Sequence, residues 1–489
     1  MRLALRQKAS PALILGIICI GIFIAAADQT VIYGALPDMM PDLHLTAFQL
    51  DRAAWIVVGY LLGYTFAMPL MGRVSDVYGH SRVYTLSVLV FMVGSIFVAL
   101  ASNIQWMIGA RVFQAVGGGA MVPVAMAIVG DIFPQKSRPI ALGIIGGAVE
   151  AGAALGPSYG GLFGDFLDWR WIFWINLPIC LAVILLVSFL LSPSPKARGK
   201  IDYIGSMLLG AGLTFLSLAV CQGWGGSSSL ANIIRFPAIA IFFLGLFIFR
   251  QVRASEPLLE FSMFRKMTFL GASLTNLFVG GALIIALVNV PLMSDTILGS
   301  SALEGGLRLL RLTIMISIGA IAGGYLCRRF GYRLPTIIGL ILSAIGFFLM
   351  SRWSLDIRDP AMTLHLAVCG LGFGLVVAPL ATGVIDSVRE DQRGIGSSIA
   401  LMMRMIGMIL GLAALTSWGM GNFHRMTIGM SLQEVIALPE GLVASLLSMF
   451  HDFFTASIGI CLAAILPALL LGRKRKLSPN GRNNDHLVR

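Results

Sequence analysis

The sequence predicts an all-α membrane protein in which fourteen helices cross the bilayer. Hydrophobic residues make up 57% of the 489 residues and charged residues only 12%, whereas a soluble globular domain carries about 25% charged residues. The mean hydropathy of +0.88 indicates the same class of protein. Because a helix needs roughly 20 apolar residues to cross a bilayer, the apolar runs predict spans near residues 11–37, 51–71, 83–101, 105–130, 139–161, 171–192, 203–221, 233–250, 268–290, 304–326, 335–352, 362–386, 394–418 and 448–471. We therefore expect a multi-pass protein of the cell (inner) membrane.

The lysines predict that both termini are cytoplasmic. An even number of spans places the termini on one side, and the lysines all fall in the tails or in loops on that side: Lys8, Lys136, Lys196, Lys200, Lys266, Lys474 and Lys476. Cytoplasmic loops collect Lys and Arg, so the net charge of +12 requires no nucleic-acid partner. The start, MRLALRQK and an apolar run to IAAAD, imitates a secretory signal. Because the run continues into QTVIYGALP, we expect a retained first helix.

A weak internal repeat predicts two halves of six helices each. The segment GRVSDVYGHSR (72–82) follows the second span, and GYLCRRFGYR (324–333) follows the tenth, each with glycines seven residues apart. Parallel repeats of this kind place the substrate path between the halves. The predicted organisation is a first bundle over 1–192, a two-helix insertion with cytoplasmic linkers over 193–267, and a second bundle over 268–489, which contains a long outer loop over 419–447 and a basic cytoplasmic tail over 472–489.

The cysteines and histidines predict no metal site and no enzyme. The six cysteines are scattered, mostly within apolar runs, without a CxxC pair or a Cys/His cluster. The six histidines show no HExxH or similar spacing. No arrangement of nucleophile, base and metal ligand is evident in the sequence. We therefore expect neither an enzyme nor a bound cofactor.

Asp28 and Arg111 are charged residues inside predicted spans. Asp28, in the stretch DQTVIYGALP, is the only charged residue of the first span, and Arg111 begins RVFQAVGGGA, with Gln114 nearly one helical turn away. A charge at the centre of an apolar helix costs at least ~2.5 kcal/mol on insertion scales, and such residues are commonly functional. We expect Asp28 to be a protonatable cavity residue. The alternatives are an interfacial carboxylate for Asp28 and a snorkelling side chain for Arg111.

Glu150 and Arg404 form a second candidate pair. Glu150 lies about midway along the fifth predicted span, and Arg404 about midway along the thirteenth. An intramembrane charge is expected to have a partner. We predict that the two pair across the cavity in one state and separate when Glu150 is protonated; the alternative is that each faces its own polar pocket or water. We expect His365 to be structural and Asp386 to be a loop-side charge.

Two glycine-containing segments predict close helix packing. The first, GRVSDVYGHSR, contains Gly72, Arg73, Asp76, Gly79 and Arg82. Its acidic and basic residues can pair with charges or with helix ends; a simple positive-inside anchor would explain the arginines but not the glycines or the aspartate. The second, GAALGPSYGG, contains Gly152, Gly156, Pro157, Gly160 and Gly161. Its first two glycines form a small-xxx-small packing face, and its proline favours a kink.

Four of these segments resemble motifs of the major facilitator superfamily, and specifically of its fourteen-segment drug:proton antiporter branch. DQTVIYGALP resembles D-x-T-V-x-N-x-A-L-P, with Tyr33 in place of Asn, and RVFQAVGGGA resembles R-x-x-Q-G-x-G, with Ala115 in place of Gly. GRVSDVYGHSR resembles the loop between helices 2 and 3, and GAALGPSYGG fits the antiporter motif G-x-x-x-G-P-x-x-G-G. The resemblance implies two six-helix bundles plus two inserted linker helices.

The resemblance also implies roles for these residues. It associates Arg111 with proton coupling, to which we add Asp28, Glu150 and Arg404. It makes the GRVSDVYGHSR loop a conformational latch, and it ties the second glycine segment to exchange of substrate for protons. We therefore expect a monomeric, proton-coupled exporter that uses the proton gradient as its energy source and needs no cofactor.

The substrate expectation is a hydrophobic small molecule or lipid taken from the bilayer. A cavity with two carboxylates suits lipophilic cations, which leaves a multidrug:proton antiporter as the alternative. However, residues 51–80 together with Asp28, Glu150 and Arg404 resemble the mycobacterial-type exporters of triacylglycerides within this branch. The segment 419–447 could guide a lipid at the outer surface or be an ordinary loop. A third, less favoured reading is a membrane sensor built on a transporter fold.

Overall fold

A computed structural model describes most of the chain. It covers residues 9–44, 50–166, 168–191, 202–221, 230–254, 261–298, 302–427 and 439–472. Within those ranges it describes the backbone alone at 33, 34, 37, 50–52, 54, 157, 158, 161–166, 217, 220, 221, 230–234, 261, 295, 296, 302, 303, 412–427 and 439–445.

Long helices account for almost all of the described residues, as the sequence predicts. They are α1 (Pro11–Asp42), α2 (Leu50–Tyr78), α3 (His80–Ala99), α4 (Ile104–Ile132), α5 (Arg138–Phe166), α6 (Arg170–Leu190), α7 (Tyr203–Cys221), α8 (Leu230–Arg253), α9 (Met267–Thr296), α10 (Ala302–Phe330), α11 (Arg333–Met350), α12 (Ala361–Ser387), α13 (Arg393–Thr427) and α14 (Pro439–Ala463). Short 3-10 helices at Phe261–Arg265 and Glu390–Gln392 precede α9 and α13. A last helical turn, Ile465–Ala468, follows α14.

The described helices contain 13 candidate membrane spans by length and hydropathy. The remaining helix, α7, has a shorter apolar part, Tyr203–Leu216. Together they account for the fourteen predicted segments. The arginine-bearing segment near 304–326 is one of the full spans, Glu304–Phe330, because its two arginines lie near one end of α10.

The helices form two bundles, each with its own apolar core. In the first, α1–α6, residues such as Ile18, Phe91 and Val124 are fully or almost fully buried together. In the second, α9–α14, the core includes Phe347 and Phe454. The inserted α7 adds Leu209 and Leu213 to the second core, and its Gly210 packs directly on Phe66 of α2. The insertion therefore lies against both bundles.

The internal repeat recurs in the backbone of two turns. Gly79, between α2 and α3, has φ 97°, and Gly331, between α10 and α11, has φ 81°. Both values lie in the left-handed region that only glycine adopts readily. Each glycine is the second of the pair spaced seven residues apart in the sequence repeat, so the repeat encodes the same tight turn in both halves.

The two bundles contact each other at one end of the molecule. We call it the basic end: it carries the turns at 79, 133–137, 331–332 and 388–392, and it is the end that the lysine distribution predicts to be cytoplasmic. There Gly324 of α10 packs on Pro139 and Ile140 of α5, and Gly130 of α4 packs on Arg393. Small residues let the two bundles approach closely at this end.

The predicted outer loop over 419–447 is largely helical, which corrects the sequence interpretation. The α13 helix continues to Thr427, and α14 begins at Pro439. Hydropathy detects only the apolar length that fits the bilayer, so it ends a predicted span where polar residues begin. A helix can continue past that point into water. The segment 428–438 and the basic tail from 473 lie outside the described residues.

We predict that Gly324→Ala weakens the contact between the bundles. The added methyl group would lie 2.6 Å from the carbonyl oxygen of Pro139, and overpacking of this kind costs about 1–3 kcal/mol. Thermal unfolding of the detergent-solubilised protein should begin at a lower temperature. Gly306→Ala on the same helix is the matched control, because nothing lies within 4 Å of the group it adds. Equal losses in the two variants would contradict the close packing.

Candidate functional site

Asp28 lies in a buried polar network inside the first bundle. Its Oδ2 accepts a hydrogen bond from Arg111 Nη1 at 2.5 Å, and its Oδ1 accepts from Gln114 Nε2 at 3.1 Å and Asn176 Nδ2 at 3.0 Å. Arg111 Nη2 also donates to the backbone oxygen of Asp28 at 3.1 Å. Asp28 is 3% exposed and Arg111 is 0% exposed. Both alternatives, an interfacial carboxylate and a snorkelling arginine, are therefore wrong.

Helix periodicity explains part of this network. Arg111 and Gln114 are three residues apart on α4, so their side chains lie on one face and reach the same carboxylate. Asn176 of α6 and Ser95 of α3 complete the network, and the Asn176 amide also donates to Ser95 Oγ at 3.3 Å. Sequence reasoning missed both residues. The available signal was a single amide in the apolar stretch WINLPIC.

Glu150 and Arg404 contact each other across the two bundles, as predicted for one state. Arg404 Nη2 donates to Glu150 Oε1 at 2.6 Å. The glutamate side chain is 9% exposed and the arginine side chain 15%. Backbone packing fixes the arginine, because Gly280 of α9 lies directly against its carbonyl oxygen. The alternative of two separate polar pockets does not hold in this conformation.

Two tyrosines of α2 lie between the network and the ion pair. The Tyr60 and Tyr64 rings are stacked, with centroids 6.1 Å apart. Arg111 Cζ lies 4.2 Å from the Tyr60 centroid, a cation–π distance. Leu401 and Met405 of α13, which lie three residues before and one residue after Arg404, pack against the cluster that contains Tyr64. Sequence reasoning missed this aromatic pair, which connects the two charged sites physically.

The glycine motif of α5 packs that helix on α1. A methyl group added at Gly152 would lie 3.0 Å from the Ala26 side chain, and one at Gly156 would lie 2.6 Å from the Ala27 carbonyl oxygen. Gly160 is equally close to the α1 backbone. The predicted packing face is therefore present and brings α1, which carries Asp28, against α5, which carries Glu150. For Pro157 and Gly161 the structure describes only the backbone, which is helical.

The predicted latch contacts a helix N-terminus of the other bundle. Asp76 Oδ1 accepts from the amide of Gly394 at 2.7 Å, and its Oδ2 accepts from the amide of Ile395 at 2.9 Å. These are first-turn amides of α13, where a carboxylate is favourable. Gly72 packs on Gly394 as well. Three other residues of the predicted latch lie in the same segment. Gly79 adopts its left-handed turn, whereas Arg73 is partly buried and Arg82 is exposed.

Further ion pairs join the bundles at the basic end. Arg393 Nη1 of α13 donates to Asp131 Oδ1 of α4 at 2.8 Å. Arg138 of α5 pairs with Asp386 of α12, whose other oxygen accepts from Tyr332 at 2.6 Å. The interpretation of Asp386 as a loop-side charge is therefore wrong. It stands near a helix end, but that end faces the opposite bundle.

The end opposite the basic end carries exposed ion pairs within each bundle. Arg170 Nη1 donates to Asp42 Oδ2 at 2.5 Å, and hydrogen bonds from Arg170 and Trp169 hold the pKa of Asp42 below its ordinary value. Arg311 Nη1 donates to Asp359 Oδ1 at 2.6 Å, and this bond lowers the pKa of Asp359. The Asp359 side chain is 53% exposed, so these pairs are surface features.

The remaining histidine and metal expectations concern structural roles. His365 accepts a hydrogen bond from the Trp353 indole at 2.9 Å, which fits the structural role expected for it. Among the residues that the structure describes, no group of three or more His, Cys, Asp or Glu could hold a metal ion.

A double-mutant cycle tests the Asp28–Arg111 pair. Asp28→Asn or Arg111→Gln alone should lower the free energy of unfolding by about 3–5 kcal/mol, because each leaves a buried charge without its partner. The double variant should lose less than the sum of the two, since the residues interact directly. Asp359→Asn is the control and should lose no more than about 1 kcal/mol, as an exposed pair. Strictly additive losses would contradict the pairing.

Comparison with known proteins agrees with this architecture. The sequence profile of the Major Facilitator Superfamily matches residues 18–412. A triacylglyceride transporter of Mycolicibacterium hassiacum is 31% identical over 93% of this chain and 91% of its own length. A triacylglyceride transporter of Mycolicibacterium smegmatis is 32% identical over 94% of this chain and 87% of its own. The crystal structure of the human organic anion transporter MFSD10 has a TM-score of 0.64 at 17% identity, covering 95% of this chain and 100% of that one.

The profile match and the long alignments establish the class of protein. The two bundles, the inserted helix pair and the spans agree with a multi-pass membrane transporter, and the family and its relatives are transporters, not enzymes. The chain belongs to the Major Facilitator Superfamily.

Proposed function

We propose that this chain is a proton-coupled exporter that moves a lipid, such as a triacylglyceride, by alternating access. The observation that carries the proposal is the ion pair between Glu150 and Arg404, with its 2.6 Å contact. The pair lies midway along two spans and joins the two bundles. The ion pair stabilises one arrangement of the bundles. A single proton on Glu150 would neutralise the carboxylate and so remove the attraction to Arg404.

The closed basic end supports an outward-facing assignment for this conformation. The latch, the Arg393–Asp131 pair and the packing of Gly324 on Pro139 join the bundles at the end assigned to the cytoplasm. In alternating access, closure on one side accompanies access from the other. An inward-facing state must break these contacts, and with them the Glu150–Arg404 pair.

A proton from outside is the trigger that we propose for this change. Protonation of Glu150 leaves Arg404 without its countercharge, and an unpaired intramembrane charge is unfavourable. The bundles can then separate at the basic end, where water replaces the lost partner. Asp28 is the second proposed carrier, because a proton on it would leave Arg111 without its countercharge inside the first bundle. Proton release to the cytoplasm restores both pairs and returns the transporter to the outward-facing state.

The charge balance of the site supports a neutral lipid over a cationic drug. Each of the two carboxylates already has an arginine partner, at 2.5 Å for Asp28 and 2.6 Å for Glu150, so neither is available to a cationic substrate in this state. The surroundings are apolar or aromatic: Met68 is buried with the two tyrosines, and Leu401 and Met405 of α13 pack against them. The names of the mycobacterial relatives support the same substrate class.

Transport in everted membrane vesicles tests the function. With an acidic lumen, we expect a fluorescent triacylglyceride to become protected from an external quencher at a rate that falls when the pH gradient is collapsed. Ethidium is the parallel substrate for the alternative, a multidrug:proton antiporter. Proton-driven movement of ethidium alone would contradict the lipid assignment. Failure to move either substrate would contradict export and leave the sensor interpretation.

Charge exchange tests the role of the ion pair. Glu150→Arg and Arg404→Glu should each reduce proton-driven transport at least ~10-fold, since each places two like charges at one buried site. The double exchange restores opposite charges and should recover part of the rate. Asp356→Asn, at an exposed carboxylate of the α11–α12 loop, is the control and should transport normally. No recovery in the double variant would contradict the pairing.

A further inference from the structure

His80, at the start of α3, lies between two carboxylates of the first bundle. Its Nδ1 is 2.7 Å from Asp131 Oδ2, and its Nε2 is 3.0 Å from Asp76 Oδ1. A carboxylate can only accept a hydrogen bond, and a neutral imidazole carries a single N–H. Both contacts are therefore hydrogen bonds only when the imidazole is protonated. With both aspartates ionised, the geometry of the closed basic end therefore places a proton on each ring nitrogen of His80.

The same carboxylates hold the other bundle. Asp76 accepts two amides from the first turn of α13, and Asp131 accepts from Arg393 of α13 at 2.8 Å. Arg393 also lies 3.5 Å from Glu390, whose side chain is 90% exposed. Both bundles therefore meet at a cluster in which His80 and Arg393 balance Asp76 and Asp131. Loss of the His80 proton would leave this cluster with an excess negative charge.

Burial makes that excess negative charge unfavourable. The side chains of His80 and Asp76 are 4% and 0% exposed, whereas that of Asp131 is 20% exposed. Charges so poorly hydrated interact strongly, and an uncompensated one is unfavourable. Separation of α13 from α2 and α4 would admit water to all three groups and remove the need for the imidazolium.

We propose that His80 is a proton-binding site linked to closure of the basic end. The closed arrangement binds the proton and the open arrangement releases it. Linkage then gives the sign: lower pH favours the closed end, and higher pH favours the open end. Because uptake and release both occur at the basic end, the proton does not cross the membrane. The site makes the balance between outward- and inward-facing states respond to pH on the predicted cytoplasmic side.

This inference rests on alternating access from the proposed function, but not on the substrate or on proton antiport. A distance measurement without substrate or gradient therefore tests it. Spin labels at Gln135→Cys and Leu334→Cys, in a chain whose native cysteines are replaced by alanine, report the separation of the bundles at the basic end. The populations of short and long distances give the closed-to-open ratio from about pH 5 to about pH 9, a range that spans the ordinary value for histidine.

We expect the closed-to-open ratio to fall as the pH rises, by at most tenfold per pH unit for one proton. His80→Arg retains a cation at every pH and should remove this dependence while keeping the end closed. His80→Gln has one donor group and no charge, and should favour the open end throughout. His451→Gln, at a histidine whose Nε2 contacts the Trp353 carbonyl oxygen near the other end, is the matched control and should behave as the parent chain.

A Glu150→Gln background separates this site from the proposed coupling carrier. The inference is overturned if His80→Arg keeps the full pH dependence, or if Glu150→Gln alone abolishes it. Retention of the dependence in Glu150→Gln and its loss in His80→Arg would support the inference, whether or not triacylglyceride transport is observed. If His80→Gln does not fold, the flat profile of His80→Arg still decides the question.

Discussion

The ion pair between Glu150 and Arg404 is the interaction on which the arrangement of the two bundles depends. It joins them midway through the membrane at 2.6 Å, with both side chains largely buried. A charge at that depth is unfavourable unless a partner is present. The two helices that carry the pair therefore have to stay close, and contacts nearer the basic end close the bundles below it. Any movement that opens that end has to neutralise the glutamate or supply a different partner for each charge.

The buried charges of the first bundle find their partners within that bundle, without any contact to the second. Asp28, Arg111, Gln114 and Asn176 satisfy one another within α1, α4 and α6. Since this network is internal, its protonation state can change while the bundles remain closed. The stacked Tyr60 and Tyr64 rings lie between Arg111, which is over the Tyr60 ring, and α13, whose Leu401 and Met405 pack against the same cluster and flank Arg404 in the chain. Helix α2 therefore contacts both of the charged sites that the proposed coupling uses.

The sequence predicts the helices and the charged pairs better than their surroundings. Intramembrane charges are rare, so Glu150 and Arg404 could be matched by depth alone, and periodicity brings Arg111 and Gln114 to one face. Asn176 and the tyrosines were missed because polar and aromatic residues in apolar helices carry no signal of which neighbour they contact. The prediction for Asp386 was wrong. The local sequence shows that this residue lies near a helix end, but it does not show that the other bundle packs against that end. The length of α13 was underestimated because hydropathy detects only the apolar part of a helix, and this helix continues beyond its apolar part to Thr427.

The charged groups lie at two depths, and this separation has a mechanistic consequence. The carriers proposed for coupling stand near mid-membrane, whereas His80 stands at the basic end beside Asp76 and the first turn of α13. A proton on Glu150 weakens the closed state, because it breaks an ion pair between the bundles. A proton on His80 strengthens the same state, because it completes the charge balance between them. Under the two proposals, acid on the outer side and acid on the cytoplasmic side therefore act in opposite directions on one conformational equilibrium.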